Sequence, residues 1–428
     1  MAQYKVSEVI KVSFIGMIGT AIEDYDIIVA ALVSTIAWPS VFFPTSDPIA
    51  SLIASLGAFL ITYVARPLGA FLFGHYGDRL GRKRSLVWTL ITMGIGVLII
   101  SVLPGYQSIG IIAPVILFIA RFIMGLGFGG EWGAVTSWIV EHAKDSRWRA
   151  LWASLVPEGF AVGGIAATVT VTSLISLYGP KQFIDFYWRI PFYIGLIVII
   201  LGAILRFKLQ ESPIFMKIFK ERKIISLPSL IVFKEKWKDI IKLAGVNMIA
   251  QTPFYVAITV MIAYLTRIIG LTQAFATYTT VVGEIVGGVL VILGGMVADI
   301  IGRKKLLEIV YITIIVFSYP YILLINTGNT LLIIIAQAML MGLAFAGVAV
   351  LSSFIAEYFE AKYRASGTGL AYQIGVLLGV LPQSLIIAYL IGFGKGGSLY
   401  IATVVFITAV LSFISLLLCK ETKGRSID

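Results

Sequence analysis

Apolar stretches of twenty residues or more recur from one end of this chain to the other, and that recurrence leaves few folds open. A helix rising about 1.5 Å per residue needs about twenty apolar residues to cross a hydrocarbon core of about 30 Å. Such runs fall near 12–36, 50–76, 85–103, 108–141, 150–178, 188–210, 241–266, 272–300, 305–326, 330–358, 365–391 and 398–419. A transmembrane barrel would instead show segments of about ten residues that alternate apolar and polar, and none is visible. Charged residues make up 13% of the chain, against about 25% in soluble domains. The fold class expected is therefore an all-α membrane protein with twelve transmembrane helices, and a soluble enzyme with a large core is excluded.

The formal net charge of +11 does not point to nucleic acid, because the basic residues lie in short turns between the apolar runs. With the N-terminus inside, 27 of the 33 Lys and Arg fall in cytoplasmic segments. Only Lys181, Arg189, Arg267 and Lys395 fall outside, and Arg66 and Arg121 fall within spans. A split this uneven sets the orientation, with both termini cytoplasmic and the chain a multi-pass protein of the cell membrane. The first apolar run lacks a small-residue cleavage site and is expected to be retained as the first helix. Cys419 is the only cysteine, so no disulfide framework within the chain and no Cys-based metal site is expected. His75 and His142 have no metal-ligand partner at a useful spacing, and no metal, cofactor or enzymatic constellation is expected. GLGFGG, Gly125 to Gly130, fits a dinucleotide fingerprint letter for letter. It lies inside a span with no strand before it, so small residues allowing close helix contact are the better reading.

The longest polar segment runs from Glu211 to Lys242 and separates six spans from six. It divides the chain into an N-terminal bundle, 1–210, a cytoplasmic linker, 211–240, and a C-terminal bundle, 241–428. Each half carries one charged phrase between its second and third helix. GHYGDRLGRKR (Gly74 to Arg84) is answered 221 positions later by GMVADIIGRKK (Gly295 to Lys305). Asp78 then matches Asp299, Gly81 matches Gly302, Arg82 matches Arg303, and Lys83 matches Lys304. A second echo joins EHAKDSRWRA (Glu141 to Ala150) at the end of the fourth span to EYFEAKYRAS (Glu357 to Ser366) at the end of the tenth. Tandem six-helix repeats of this kind describe one transporter architecture.

The phrase G-x-x-x-D-R-x-G-R-K after the second helix resembles the signature of the major facilitator superfamily, and 295–304 falls where that superfamily repeats it. GTAIEDYD (Gly19 to Asp26), FPTSDP (Phe43 to Pro48), ARPLGAFLFGHYGDRLGRK (Ala65 to Lys83), RFIMGLGFGGEWG (Arg121 to Gly133) and QESPIF (Gln210 to Phe215) resemble its metabolite:proton symporter branch. Two positions depart from that pattern: Glu158 stands where a glutamine is expected and Asp24 where an aromatic is. The resemblance implies the major facilitator fold, two six-helix bundles about a midplane cavity. It also implies that the repeated phrase is a conformational latch rather than a substrate site. Asp78 is expected to meet the positive end of a neighbouring helix, where a carboxylate is favourable by about 0.3–2 kcal/mol. Arg79, Arg82 and Lys83 are expected to bridge to carboxylates on the facing half, such as Glu141, and Asp299 and Arg303 to repeat the arrangement. Gly74, Gly77 and Gly81 belong to the same latch, Gly77 and Gly81 permitting the tight turn. The plainer alternative is that these charges only anchor a loop.

An ionisable group at the centre of a span costs at least about 2.5–3.5 kcal/mol, so each one needs a reason. Glu23, Asp24 and Asp26 lie on the first helix; Glu23 and Asp26, spaced i, i+3, share a face about 16 and 21 Å in. Arg121 lies about 15 Å into the fourth helix, at a similar depth. A carboxylate near it could act as a proton switch, and the plainer alternative is a static ion pair. Resemblance to proton-coupled members favours Asp26 as the acid partner of Arg121, although Glu23 matches its depth slightly better. Arg121, Glu158, Gln251, Tyr255, Glu284, Tyr372 and Gln373 are the expected substrate contacts, and any one of them could instead be glue between helices. Glu131 is expected in the latch, and Arg66 is expected to snorkel to the cytoplasmic surface. The function expected is proton-coupled symport of a small polar metabolite, a carboxylate or zwitterion, by a monomer in the lipid bilayer. A proton-coupled sugar carrier, proton-driven efflux of cationic compounds and a membrane receptor of transporter ancestry are the alternatives.

Overall fold

The computed structural model describes residues 6–221, 225–393 and 397–427, with the backbone alone at 48–49 and 382–393. Lys395 and three of the 27 basic residues counted as cytoplasmic, Lys5, Arg222 and Lys223, lie outside the described residues. There is no strand among the described residues. Twelve long helices carry the fold. The first six are α1 (Val6–Ile36), α2 (Pro48–Leu80), α3 (Arg82–Val102), α4 (Ile112–His142), α5 (Arg149–Asp185) and α6 (Ile190–Phe207). The second six are α7 (Trp237–Arg267), α8 (Gln273–Ile301), α9 (Arg303–Asn326), α10 (Thr330–Tyr358), α11 (Arg364–Phe393) and α12 (Ser398–Leu417). Ten are long and apolar enough to cross a bilayer by length and composition; α1 and α11 are the other two. In α1 the buried acids Glu23, Asp24 and Asp26 dilute the apolar stretch. Two apolar runs are broken. The fourth begins as a separate turn, Tyr106–Ile109, ended by Gly110 at φ +61°, and α7 widens into a π turn at Val256–Val260 just after Pro253. A proline there removes a backbone donor and loosens the ladder.

The halves repeat one packing scheme. In the first, α1 packs on α5, α2 on α4, and α3 on α4 and α6. In the second, α7 packs on α11, α8 on α10, and α9 on α10 and α12. The halves meet through α5 against α8 and α10, and through α11 against α2 and α4, which is the same contact made twice. The glycine run read from the sequence explains the tightest pair. A Cβ at Gly129 would stand 2.0 Å from the Arg66 carbonyl oxygen and one at Gly125 2.3 Å from that of Thr62, so α4 can lie on α2 only without side chains there. Short helices Pro213–Lys220 and Pro228–Glu235 cross one face of the bundle, called here the linker face. The Ser229 hydroxyl ties the linker to both halves, donating to the Phe71 carbonyl at 2.7 Å and lying 2.9 Å from the Ser366 hydroxyl.

Candidate functional site

Two constellations stand out, a charged cluster at the linker face and a polar cavity at mid-depth. The cluster begins with Gly81 and Gly302, which open α3 and α9 at φ +111° and +112°, a conformation that favours glycine. Each turn aims one aspartate at the N-terminus of a helix in the other half. Asp78 accepts the backbone N–H groups of Ala365 (3.0 Å) and Ser366 (2.8 Å) on α11. Asp299 accepts those of Ala150 (3.1 Å) and Leu151 (3.0 Å) on α5. These are first-turn donors without intrahelical partners, at the positive end of the helix dipole. Arg82 pairs with Asp78 at 3.2 Å and Glu141 at 3.0 Å and donates to the Ala361 carbonyl at 2.8 Å. Arg303 pairs with Asp299 at 3.0 Å and Glu357 at 3.1 Å. The acids of the second echo pair crosswise: Glu141 meets Arg364 at 2.9 Å, and Glu357 meets Arg149 at 3.3 Å.

The sequence reading missed a matching layer behind this one. Glu211 accepts the backbone N–H groups of Arg82 and Lys83, and Glu421 accepts those of Arg303 and Lys304. The Ser212 hydroxyl donates to Glu141, and that of Thr422 donates to Glu357 at 2.6 Å. Burial pushes the Glu211 carboxyl above its ordinary range, against the N–H groups that favour its charged form. The signal was present in the sequence as an acid followed by a hydroxyl after the sixth and the twelfth helix, QES and KET.

The structure does not bring all expected latch residues together. Arg79 is exposed and makes no ion pair among the described residues, and the Lys83 ammonium donates to the Phe207 carbonyl of its own half. Both sit on the outer side of the turn. Gly74 is in place, since a Cβ there would stand 2.7 Å from Ser366 Cα. Glu131 lies outside the cluster, buried within the first half against Arg206 and the Thr89 hydroxyl. Arg206 is among the basic residues expected on the cytoplasmic side, near the end of the sixth run, and α6, which runs to Phe207, carries it inward.

The cavity lies between the halves and is lined by Glu23, Asp24, Arg66, Gln251, Tyr255, Tyr372 and a wall that includes Phe160, Phe254 and Phe345. Arg66 corrects the expectation most. It does not snorkel; it is 3% exposed, pairs with Glu23 at 2.9 Å, and lies over the Tyr63 and Phe128 rings at 4.8 and 5.2 Å. Its Nε has no hydrogen-bond partner among the described residues. The Tyr63 hydroxyl donates to that of Tyr255 at 2.7 Å, and Gln251 Nε2 donates to the Tyr372 hydroxyl at 3.3 Å. Trp132 stacks on Tyr372 across the halves at 3.9 Å. Arg121 pairs with Asp26 at 2.8 Å, buried between α4 and α1, but neither lines the cavity. Arg121 Nε and Nη2 have no hydrogen-bond partner among the described residues. Glu158 and Gln373 are also absent from the lining: Glu158 rests over Gly288, and Gln373 Nε2 donates to the Phe128 carbonyl at 3.2 Å. Glu284 is buried beside Asp24 at the α5–α8 contact.

Two matching six-helix halves, ion-paired at one face and enclosing a polar cavity at mid-depth, define a helical membrane transporter. The chain belongs to the Major Facilitator Superfamily, whose family model matches residues 14–381. It is 35% identical to the inner membrane metabolite transport protein YhjE of Escherichia coli K12, over 97% of this chain and 95% of that one. It is 28% identical to the proline/betaine transporter of the same strain, over 95% and 83%. Among solved structures it superposes on the proton:xylose symporter XylE bound to 6-bromo-6-deoxy-D-glucose with a TM-score of 0.77, at 15% identity over 99% of this chain and 98% of that one.

Proposed function

We propose that this metabolite transporter is a proton-coupled symporter of a small zwitterionic or carboxylate solute, held in the cavity between the halves, with the coupling proton on Asp26. The observation that carries the solute class is the lining itself. Arg66, whose Nε has no partner among the described residues, stands in the same cavity as Asp24, whose Oδ2 has none among them either, with aromatic rings between the halves. A carboxylate end would take the Arg66 donors, and an ammonium or methylated ammonium end would take Asp24 and the aromatic faces. The names of the proline/betaine and metabolite relatives support the class. The proton assignment rests on the Asp26–Arg121 pair. Protonating Asp26 frees a guanidinium that already has two idle nitrogens, and the first half can then repack around it. The charged cluster latches the linker face in the conformation seen. That face is cytoplasmic in this reading, and segment 211–240 tethers the halves 1–210 and 241–428.

The test is a thermal-shift screen of the purified protein against amino acids, betaines, organic acids and sugars, because a ligand bound only by the folded state raises its apparent stability. Each hit is then assayed for uptake into proteoliposomes under an imposed pH gradient. Stabilisation by zwitterions or monocarboxylates, with uphill uptake on acidifying the outside, is expected. Stabilisation by sugars or lipophilic cations alone, or uptake indifferent to the gradient, overturns the proposal.

A further inference from the structure

The proposed mechanism gives no proton to two further carboxyl groups, one of which, Asp24, also lines the cavity where it would meet a solute's cationic end. Asp24 on α1 and Glu284 on α8 belong to opposite halves and are 2% and 1% exposed. They meet over Gly164 of α5: the position a Cβ would take there lies 2.6 Å from Glu284 Oε1 and 3.2 Å from Asp24 Oδ2. The two oxygens are therefore close enough for one bridging water, or for a direct hydrogen bond after a small side-chain rotation. Asp24 Oδ2 and Glu284 Oε2 have no partner among the described residues.

The groups around them supply one counter-charge, Arg66, which acts on Asp24 but is shared with Glu23. Glu23 neighbours Asp24 on α1, and from α2 come Tyr63 and Arg66, whose guanidinium is already engaged by Glu23. Tyr255 on α7 and Tyr372 on α11 face Asp24 without charge. On α4 and α6, Arg121 is held by Asp26 and Arg206 by Glu131. Glu158 of α5 is directed to Gly288, and α9 and α10 carry their charges toward the linker face, at Arg303, Lys304, Lys305, Glu308 and Glu357. Two bare carboxylates are disfavoured side by side so far from bulk water, whereas a carboxylic acid donating to a carboxylate gives Asp24 Oδ2 a partner.

The geometry points to a second proton-binding site, a carboxyl pair of Asp24 and Glu284 that shares one proton across the seam between α5 and α8 and parts when that proton leaves. It is independent of the assignment to Asp26. In the closed form the O–H of one group donates to an oxygen of the other; on parting, the proton passes to water entering the seam. Glycine at 164 provides the gap in which the two meet.

The seam can be read with one cysteine. Ala161 is 4% exposed on α5, its Cβ 3.5 Å from the Cβ position of Gly288 on α8. In a Cys419→Ser background carrying Ala161→Cys, a membrane-permeant maleimide labels only molecules whose seam has opened. Each rate is divided by that of the same protein unfolded at the same pH, which removes the titration of the thiol itself. Opening linked to release of one proton raises this ratio about tenfold per pH unit through the working range. The rise is expected in the reference protein and in Asp26→Asn. It is expected to vanish in Asp24→Asn combined with Glu284→Gln, where neutral amides replace the shared proton. Gly164→Ala, which changes no charge, is expected to raise labelling at every pH by forcing the pair apart. A flat reference profile, or a rise that survives the double neutralisation, overturns the site. Loss of the rise in Asp26→Asn together with its survival in the double variant returns the proton to Asp26 alone. Failure of gradient-driven uptake in the reference protein would instead count against the proposed function and leave this result standing.

Discussion

Asp78→Asn changes one atom in the gate, and its consequence can be worked through. The carboxylate accepts two backbone N–H groups from the N-terminus of α11, at 3.0 and 2.8 Å, and both bonds cross between the halves. Asparagine keeps one acceptor oxygen and turns an amide N–H₂ toward the second backbone donor, so at least one charge-assisted bond is lost. Such a bond is worth about 1.5–3 kcal/mol. It exists only while the linker face is closed, so its loss favours the open form by about 10- to 150-fold. Asp299→Asn loses an equivalent bond to Ala150 or Leu151 and is expected to give a shift of similar size, although its phrase matches the signature less fully. The measurement is the distance distribution between spin labels placed on the two halves at the linker face, in protein carrying Cys419→Ser. Substrate affinity is expected to stay within about tenfold, since neither aspartate lines the cavity. Unchanged distributions in both variants, or complete loss of binding in either folded protein, would refute the latch.

Asp26→Asn is expected to abolish accumulation driven by a pH gradient while leaving exchange, because the amide imitates the protonated acid; Arg121→Ala is expected to lose both. If Asp26→Asn still accumulates solute and Glu23→Gln does not, the coupling proton belongs to Glu23. Arg66→Ala is expected to weaken binding of the solute found by thermal shift by at least about tenfold, the loss of one charged hydrogen bond, with less effect on a neutral analogue lacking the carboxylate. Gly129→Ala puts a methyl 2.0 Å from a carbonyl oxygen and should destabilise the fold by at least about 1–3 kcal/mol, read as a lower apparent unfolding temperature in detergent.

The sequence was most informative where polar residues interrupt apolar runs. The duplication and the acid and arginine candidates in the first and fourth helices are visible as charge, which hydrocarbon tolerates only for a reason, whereas the choice of Asp26 over Glu23 rests on the family resemblance. Depth was harder to read. Arg66 was placed within reach of the surface because the second run was taken to end near 76. The helix continues to Leu80, which sets Arg66 about 21 Å from that end, at about 1.5 Å per residue, and too deep for its side chain to reach water. Glu131 differs from expectation for a related reason: Arg206, near the end of the sixth helix, is turned inward onto it. Rotation was harder still. Gln373 and Glu158 lie at suitable depths, but their side chains pack against neighbouring helix backbone, and hydropathy does not say which way a helix turns when it is apolar on every side.

The crosswise pairing at the linker face has a meaning for how the two halves depend on each other. Glu141 of the first half is completed by Arg364 of the second, and Glu357 of the second by Arg149 of the first. Where one surface contacts another and receives the same contact in return, the interface is of the isologous kind found between identical subunits related by a two-fold axis. A half-length chain carrying one such acid and one such arginine could close the same gate against a copy of itself. Joined in one polypeptide, the two copies are free to diverge in their interiors, as Asp26 and Arg121 fall opposite the uncharged Asn247 and Gln337 of the second half, while the surface by which they recognise each other stays nearly the same.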